Sequence, residues 1–205
     1  MKARRSGLGW AAGWWSGAQQ RPSPNHGPRP QGERPSLVVL HSISLPAGVL
    51  RGQAVERLFL NALDPARHAS FASLGGVRVS AHFFVRRDGA VLQFVSTQER
   101  AWHAGASRWR GRVDCNDWSI GIELEGLEGR RFAAGQYRAL QRLLRAIAAA
   151  HPVVDVVGHE HVAPGRKHDP GAGFDWARLR RSLGGCDLCL WPRAGAGTPS
   201  AAGGL

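Results

Sequence analysis

The sequence predicts an α/β protein: a single domain with a central mixed β-sheet flanked by helices. Three observations lead there. Two short apolar runs, Leu37-Val38-Val39-Leu40 and Val153-Val154-Asp155-Val156-Val157, read as buried strands. Gly135 to His151 carries Tyr137, Leu140, Leu144 and Ile147-Ala148 on one stripe, with Arg138, Arg142 and Arg145 outside it, which is the spacing of a helix packed on a core. Val77 to Arg87 and Val91 to Val95 flank Arg87-Asp88-Gly89-Ala90, the signature of a hairpin with an Asp-Gly corner. Strands separated by helices, with one hairpin among them, give a sheet with both parallel and antiparallel neighbours.

Taken in order, residues 1–35 are rich in Gly, Pro and Arg and are expected to form an extended arm lying on the domain, anchored by its tryptophans. The strand at 36–42 is followed by a loop containing Pro46 and Gly48. Val55, Leu58, Phe59 and Ala62 then fall at helical spacing within Ala54 to Leu63, a helix stopped by Asp64-Pro65. After the loop 65–76 and the hairpin, everything from Ala101 to Asn116 is expected to be loop. Ser119 to Gly126 alternates, with Ile120, Ile122 and Leu124 facing one way and Gly121, Glu123 and Glu125 the other. Gly121 leaves room for something to approach the Glu123 face. His151-Pro152 ends the long helix, with His151 as a cap. Phe174 to Leu183 is a last short helix. The domain therefore spans 36–183, and 184–205, rich in Gly and Ala, is expected to lack fixed structure.

Composition narrows the function. No apolar run approaches the ~18 residues needed to cross a membrane. Met1-Lys2-Ala3-Arg4-Arg5 is a basic start, but Gly7 to Ala18 is interrupted by Trp10, Trp14, Trp15 and Ser16 and has no aliphatic run. An export signal is not expected, and the expected location is cytoplasmic. Three cysteines, an odd and low number, suit a reducing compartment, and Cys186-x-x-Cys189 has no second pair to make a metal site with. The net charge is +12, yet the basic residues are spread along the chain, densest at Arg108-Trp109-Arg110-Gly111-Arg112. No nucleic-acid motif gathers them, so a small carboxylate-bearing substrate fits better than nucleic acid or membrane, and a monomer is expected.

The chemistry concentrates in Val156 to Gly171. His159 stands just past a strand end, where functional groups collect in α/β sheets, and Asp169 closes the loop that follows. His41 ends the first strand in the same manner. Two imidazoles and a carboxylate leave a fourth tetrahedral position open, as a catalytic Zn²⁺ site requires. A hydrolytic site also needs a group to manage protons, which Glu123 suits, and a cation for the developing oxyanion, which Lys167 suits. Taken singly they read as a solvated strand carboxylate and a solvated loop lysine, and only the joint pattern promotes them. Other metal patterns fail: a His-Glu-x-x-His motif would need His at Ala163, and a facial iron triad would need a carboxylate at Ile43.

These segments, from Val38 to Pro46, Val79 to His82, Arg86 to Gly89, Arg100 to Gly105, Cys115 to Gly126 and Gly158 to Gly171, occur in order and resemble the zinc amidases of the N-acetylmuramoyl-L-alanine amidase type. The resemblance runs from about Gly13 to about Leu183. It implies His41, His159 and Asp169 as zinc ligands, Glu123 as catalytic acid/base and Lys167 as the group that stabilises the tetrahedral intermediate. It also implies Arg78, Trp102 and His103 as contacts to a muropeptide substrate. The implied reaction is hydrolysis of the amide between (1,6-anhydro-)N-acetylmuramic acid and L-alanine in peptidoglycan recycling. Two positions depart from the family: Ser42 stands where Asn is usual, and Asp114 where a basic residue is common. An envelope amidase acting on intact peptidoglycan and a non-catalytic peptidoglycan-binding module are the alternatives; the first calls for an export signal, and the second typically lacks a zinc ligand.

Overall fold

Seven short extended segments find one another in space because nearly all are apolar on at least one face. The computed structural model describes residues 9–192. Within them the strands of the central sheet are β1 (Gln19–Gln20), β2 (Leu37–Ile43), β3 (Phe83–Val85), β4 (Val91–Gln93), β5 (Ser119–Glu125), β6 (Asp155–Gly158) and β7 (Cys189–Leu190). Their spatial order is β7-β6-β2-β5-β3-β4-β1. From β7 to β3 all neighbours are parallel; β4 returns antiparallel to β3, and β1 runs parallel to β4. The sheet is mixed, as the sequence predicts.

The two faces of β2 and β5 divide the core. Val38, Leu40, Ile120, Ile122 and Leu124 pack with Leu140, Leu143, Leu144 and Ile147 of helix α2 (Ala134–Ala150; the short helix α1 is Ala54–Phe59). Each such side chain, fully buried, contributes roughly 1.5–3 kcal/mol. On the opposite face Leu37 and Val39 meet Cys115 and Trp118 from the long loop, together with Val162. Gln136 pins the start of α2 to the sheet: its Oε1 accepts the Ala133 N–H (2.9 Å), and its Nε2 donates to the Val85 and Glu125 carbonyls (3.2 and 3.0 Å). The hairpin corner at Gly89 takes φ +92°, and a Cβ there would lie 2.8 Å from the Gly135 carbonyl, so glycine is required twice over.

The structure corrects several expectations. The arm does more than lie on the domain. Gln19–Gln20 supplies an edge strand, and His26–Pro28 pairs with Glu99–Ala101. Trp15 is 1% exposed, and its backbone N–H donates to the buried Gln93 side chain (2.8 Å). The region from 184 onward begins with structure: Cys189–Leu190 adds a parallel edge strand to β6, and Leu188 and Leu190 are buried. A compositional reading averages these apolar residues into the Gly/Ala-rich stretch beyond them; 193–205 lie outside the described residues. The first helix stops at Phe59, and the loop 65–76 holds two 3₁₀ turns, Pro65–Arg67 and Ala69–Leu74. His151 closes α2 by position, but its ring bonds Thr97 Oγ1 (3.0 Å) and stacks edge-on against Trp10. Among the described residues no helix is long and apolar enough to cross a membrane.

If the arm belongs to the core, Trp15→Ala should destabilise the protein by ~3–5 kcal/mol, as large aromatic truncations in cores do. An unfolding free energy from denaturant titration lowered by less than ~1 kcal/mol would show the arm to be an appendage.

Candidate active site

Parallel pairing brings the chemistry to one edge of the sheet. Glu123 of β5 is the register partner of His41 of β2, and Gly158 of β6 is the partner of Leu40, so His159 follows directly beside His41. Three neighbouring strands thus deliver their functional groups at their carboxyl ends. His159 does not enter a loop, as the sequence suggests: it opens the short helix α3 (His159–Val162). The Glu160 N–H at the start of that turn donates to the Asp169 carbonyl (2.9 Å), which folds the 159–169 segment back on itself. Asp169 is thereby returned to the side of His159.

The distances define a focus. His41 Nδ1 lies 2.9 Å from His159 Nδ1 and 3.2 Å from Asp169 Oδ2, and His159 Nδ1 lies 3.2 Å from both Asp169 oxygens. The outer nitrogen of His159, Nε2, faces the Ala104 carbonyl at 3.1 Å and must carry the proton. Its Nδ1 is then a bare lone pair in the neutral ring. Two imidazole nitrogens and a carboxylate held this close repel one another unless a proton or a cation sits among them. These three residues form a group that can hold a metal ion, with a nitrogen, nitrogen and oxygen donor set that suits zinc.

Electrostatics agree with the geometry. Burial lowers the His41 pKa to about 4, against the pull of the neighbouring Asp169 carboxylate. Burial alone would raise the Asp169 carboxyl, but the His159 and His41 rings against it hold it well below the usual carboxylate range. Glu123 behaves oppositely. Burial and then the Asp169 carboxylate push it well above its ordinary value, opposed by Lys167. Its Oε2 is buried with no hydrogen-bond partner among the described residues.

These groups open into a cavity of about 260 Å³ walled by His41, Glu123, His159, Lys167, Asp169, Trp102 and His103, with Ser42, Ser80 and Phe59 among the rest. A second depression of about 330 Å³ shares Ser42, Ile43, Lys167 and Asp169 with it, so the cleft continues past the focus toward Leu127 and Glu128. The larger apolar hollow bounded by Leu45, Pro46, Val49 and Phe71 lies away from these groups.

A family model described as N-acetylmuramoyl-L-alanine amidase matches residues 31–172. The chain belongs to this amidase family. The 1,6-anhydro-N-acetylmuramyl-L-alanine amidase AmpD of Escherichia coli K12 is 46% identical over 170 residues, covering 82% of this chain and 93% of the relative. A crystal structure of a selenomethionine AmpD derivative superposes with TM-score 0.82 at 44% identity, over 84% of this chain and 98% of that one. The E. coli N-acetylmuramyl-L-alanine amidase AmiD, solved with the substrate anhydro-N-acetylmuramic acid-L-Ala-D-γ-Glu-L-Lys, superposes with TM-score 0.54 at 28% identity, over 86% and 65%.

Of the residues this amidase sequence nominates, His41, His159, Asp169, Glu123, Lys167, Trp102 and His103 share one cavity. Arg78 does not line it; it is exposed on the segment whose next residues, Val79 and Ser80, do. His103 lines the wall with both ring nitrogens already engaged, Nδ1 with His41 Nε2 (3.0 Å) and Nε2 with Ser119 Oγ (3.2 Å). Sequence reasoning missed Asn116, whose Oδ1 accepts the His103 and Ala104 N–H groups (3.1 and 2.8 Å) and so sets the loop that presents His103. It also missed Arg166, which donates to the Ala104 carbonyl (2.7 Å) beside His159. Neither carries a local signal: Asn116 acts 12–13 residues away and Arg166 acts 62 residues away.

Proposed function

We propose that this protein is a zinc-dependent amidase that hydrolyses the amide between 1,6-anhydro-N-acetylmuramic acid and L-alanine of muropeptides. The observation that carries the reading is the convergence of His41, His159 and Asp169 within 3.2 Å of one another, in the cavity into which Glu123 and Lys167 also open. Membership in the amidase family supplies the bond, and the names of AmpD and of the AmiD substrate support the anhydro-sugar side of it. Recycling of wall fragments in the cytoplasm, by a monomer, fits a small soluble substrate.

In this reading His41, His159 and Asp169 would hold a zinc ion, which when bound would supply Lewis acidity for the amide carbonyl and for a water near neutral pH. Glu123 takes the proton from the attacking water and returns it to the departing L-alanine nitrogen, a role suited to a carboxyl whose ordinary acidity burial has weakened. Lys167, on the wall shared by both lobes of the cleft, faces the negative charge that develops on the carbonyl oxygen. Trp102 offers an apolar face to the sugar. Arg78 stands outside the cavity, where a stem-peptide carboxylate can meet it, and the basic chain as a whole attracts such a substrate.

The test is mass spectrometry of an anhydro-muropeptide incubated with the purified protein. Free stem peptide should be released, the release should stop with a chelator, and it should resume with added Zn²⁺. Intact substrate from folded, zinc-loaded protein would overturn the assignment.

A further inference from the structure

The imidazole of His103 stands between the metal ligand His41 and the hydroxyl of Ser119, which is fully buried at the start of β5. The space it occupies is made by Gly121: a Cβ there would lie 2.4 Å from His103 Cγ, so no other residue type leaves the ring where it is. Its main chain is held by the Asn116 side chain. The hydroxyl end is fixed as well, because Arg29 of the arm donates to the Ser119 carbonyl (2.8 Å) and to the Asp117 carbonyl (2.7 Å). An imidazole secured at both ring nitrogens, at its backbone and on its face presents a set orientation to His41.

We infer that His103 and Ser119 are positioning residues that hold His41 in the tautomer required for binding a metal, and that His103 is not primarily a substrate contact. This inference rests on the metal-site reading above. The hydrogen-bond sequence decides the tautomer. With His103 Nε2–H donating to Ser119 Oγ, His103 Nδ1 is an acceptor and takes the His41 Nε2–H. His41 Nδ1 is then the lone pair that faces His159 and Asp169. The reverse polarity, with Ser119 donating, would place a proton on His103 Nδ1 and drive the His41 proton onto Nδ1, the nitrogen that faces His159 and Asp169. Such outer hydrogen bonds orient a ligand ring and raise its basicity, and their loss typically weakens metal binding ~10–100-fold.

Zinc affinity of the intact protein, measured by competition with a chromophoric chelator, tests this, with kcat and KM measured separately at saturating zinc. His103→Leu should weaken zinc binding ~10–100-fold and leave KM near wild type. His103→Asn, whose Oδ1 can take the place of Nδ1 as acceptor, should recover most of the affinity, which a merely space-filling role would not produce. Ser119→Ala, which keeps the ring but frees its polarity, should give a smaller loss. Circular dichroism identifies any variant that fails to fold, and His103→Asn keeps the test open if His103→Leu does. Unchanged zinc affinity with a raised KM in His103→Leu, or no recovery in folded His103→Asn, would overturn the inference alone. Folded wild-type protein that takes up no zinc would overturn the metal-site reading and the inference with it.

Discussion

Asp169→Ala should abolish stoichiometric zinc binding and lower amide hydrolysis by at least ~10³-fold. A catalytic metal contributes several kcal/mol to the transition state, and each 1.36 kcal/mol is a decade of rate. Asp169 is the only anionic donor of the three, and its carboxylate lies 3.2 Å from both imidazole nitrogens. Without it, two neutral rings must hold a dication in a largely buried place. The fold should survive, because Asp169 is tied to α3 through its main-chain carbonyl, which the substitution keeps. Metal analysis by mass spectrometry and far-ultraviolet circular dichroism on the same sample separate the two effects. Near wild-type zinc content and turnover in Asp169→Ala would sink the ligand assignment.

Glu123→Gln should lower kcat by ~10²–10⁴-fold while leaving zinc content unchanged, the range expected for loss of a positioned acid–base group. The side chain keeps its size, so the cavity and His41 remain as they are, and only the capacity to accept a proton is lost. The wild-type rate should fall as pH drops through the raised Glu123 pKa, because the ionised form is the one that takes the proton. A stability effect of opposite sign should accompany this. With its folded pKa above the unfolded value, Glu123 costs the metal-free protein stability as pH rises from the unfolded pKa toward the folded one. Metal-free Glu123→Gln should therefore be more resistant to urea than metal-free wild type at neutral pH. Unchanged kcat in a zinc-loaded Glu123→Gln protein would remove Glu123 from the mechanism.

Much of this was legible before any coordinates. The apolar runs ending in His41 and before His159, the Asp88-Gly89 corner and the stripe of α2 are local signals, because burial of one strand or one helix face imposes a period on adjacent residues. The pairing of two strand-end histidines with Asp169 could be inferred from residue chemistry, since such a set at strand ends has few other uses. The edge strands at either end of the chain could not. Gln19–Gln20 is too short and too polar to show a period, and Cys189–Leu190 is masked by the composition that follows it.

What only the tertiary structure decided is which partner each functional group meets. His41 and His159 are 118 residues apart, and His41 and His103 are 62 apart. The engagement of His103, the Asn116 clamp beneath it and the cleared space at Gly121 are contacts between the sheet and the segments packed on it. Residue type and periodicity record what an element buries; which far residue it buries against is settled by strand order and register, which emerge only when the whole chain has closed around its core.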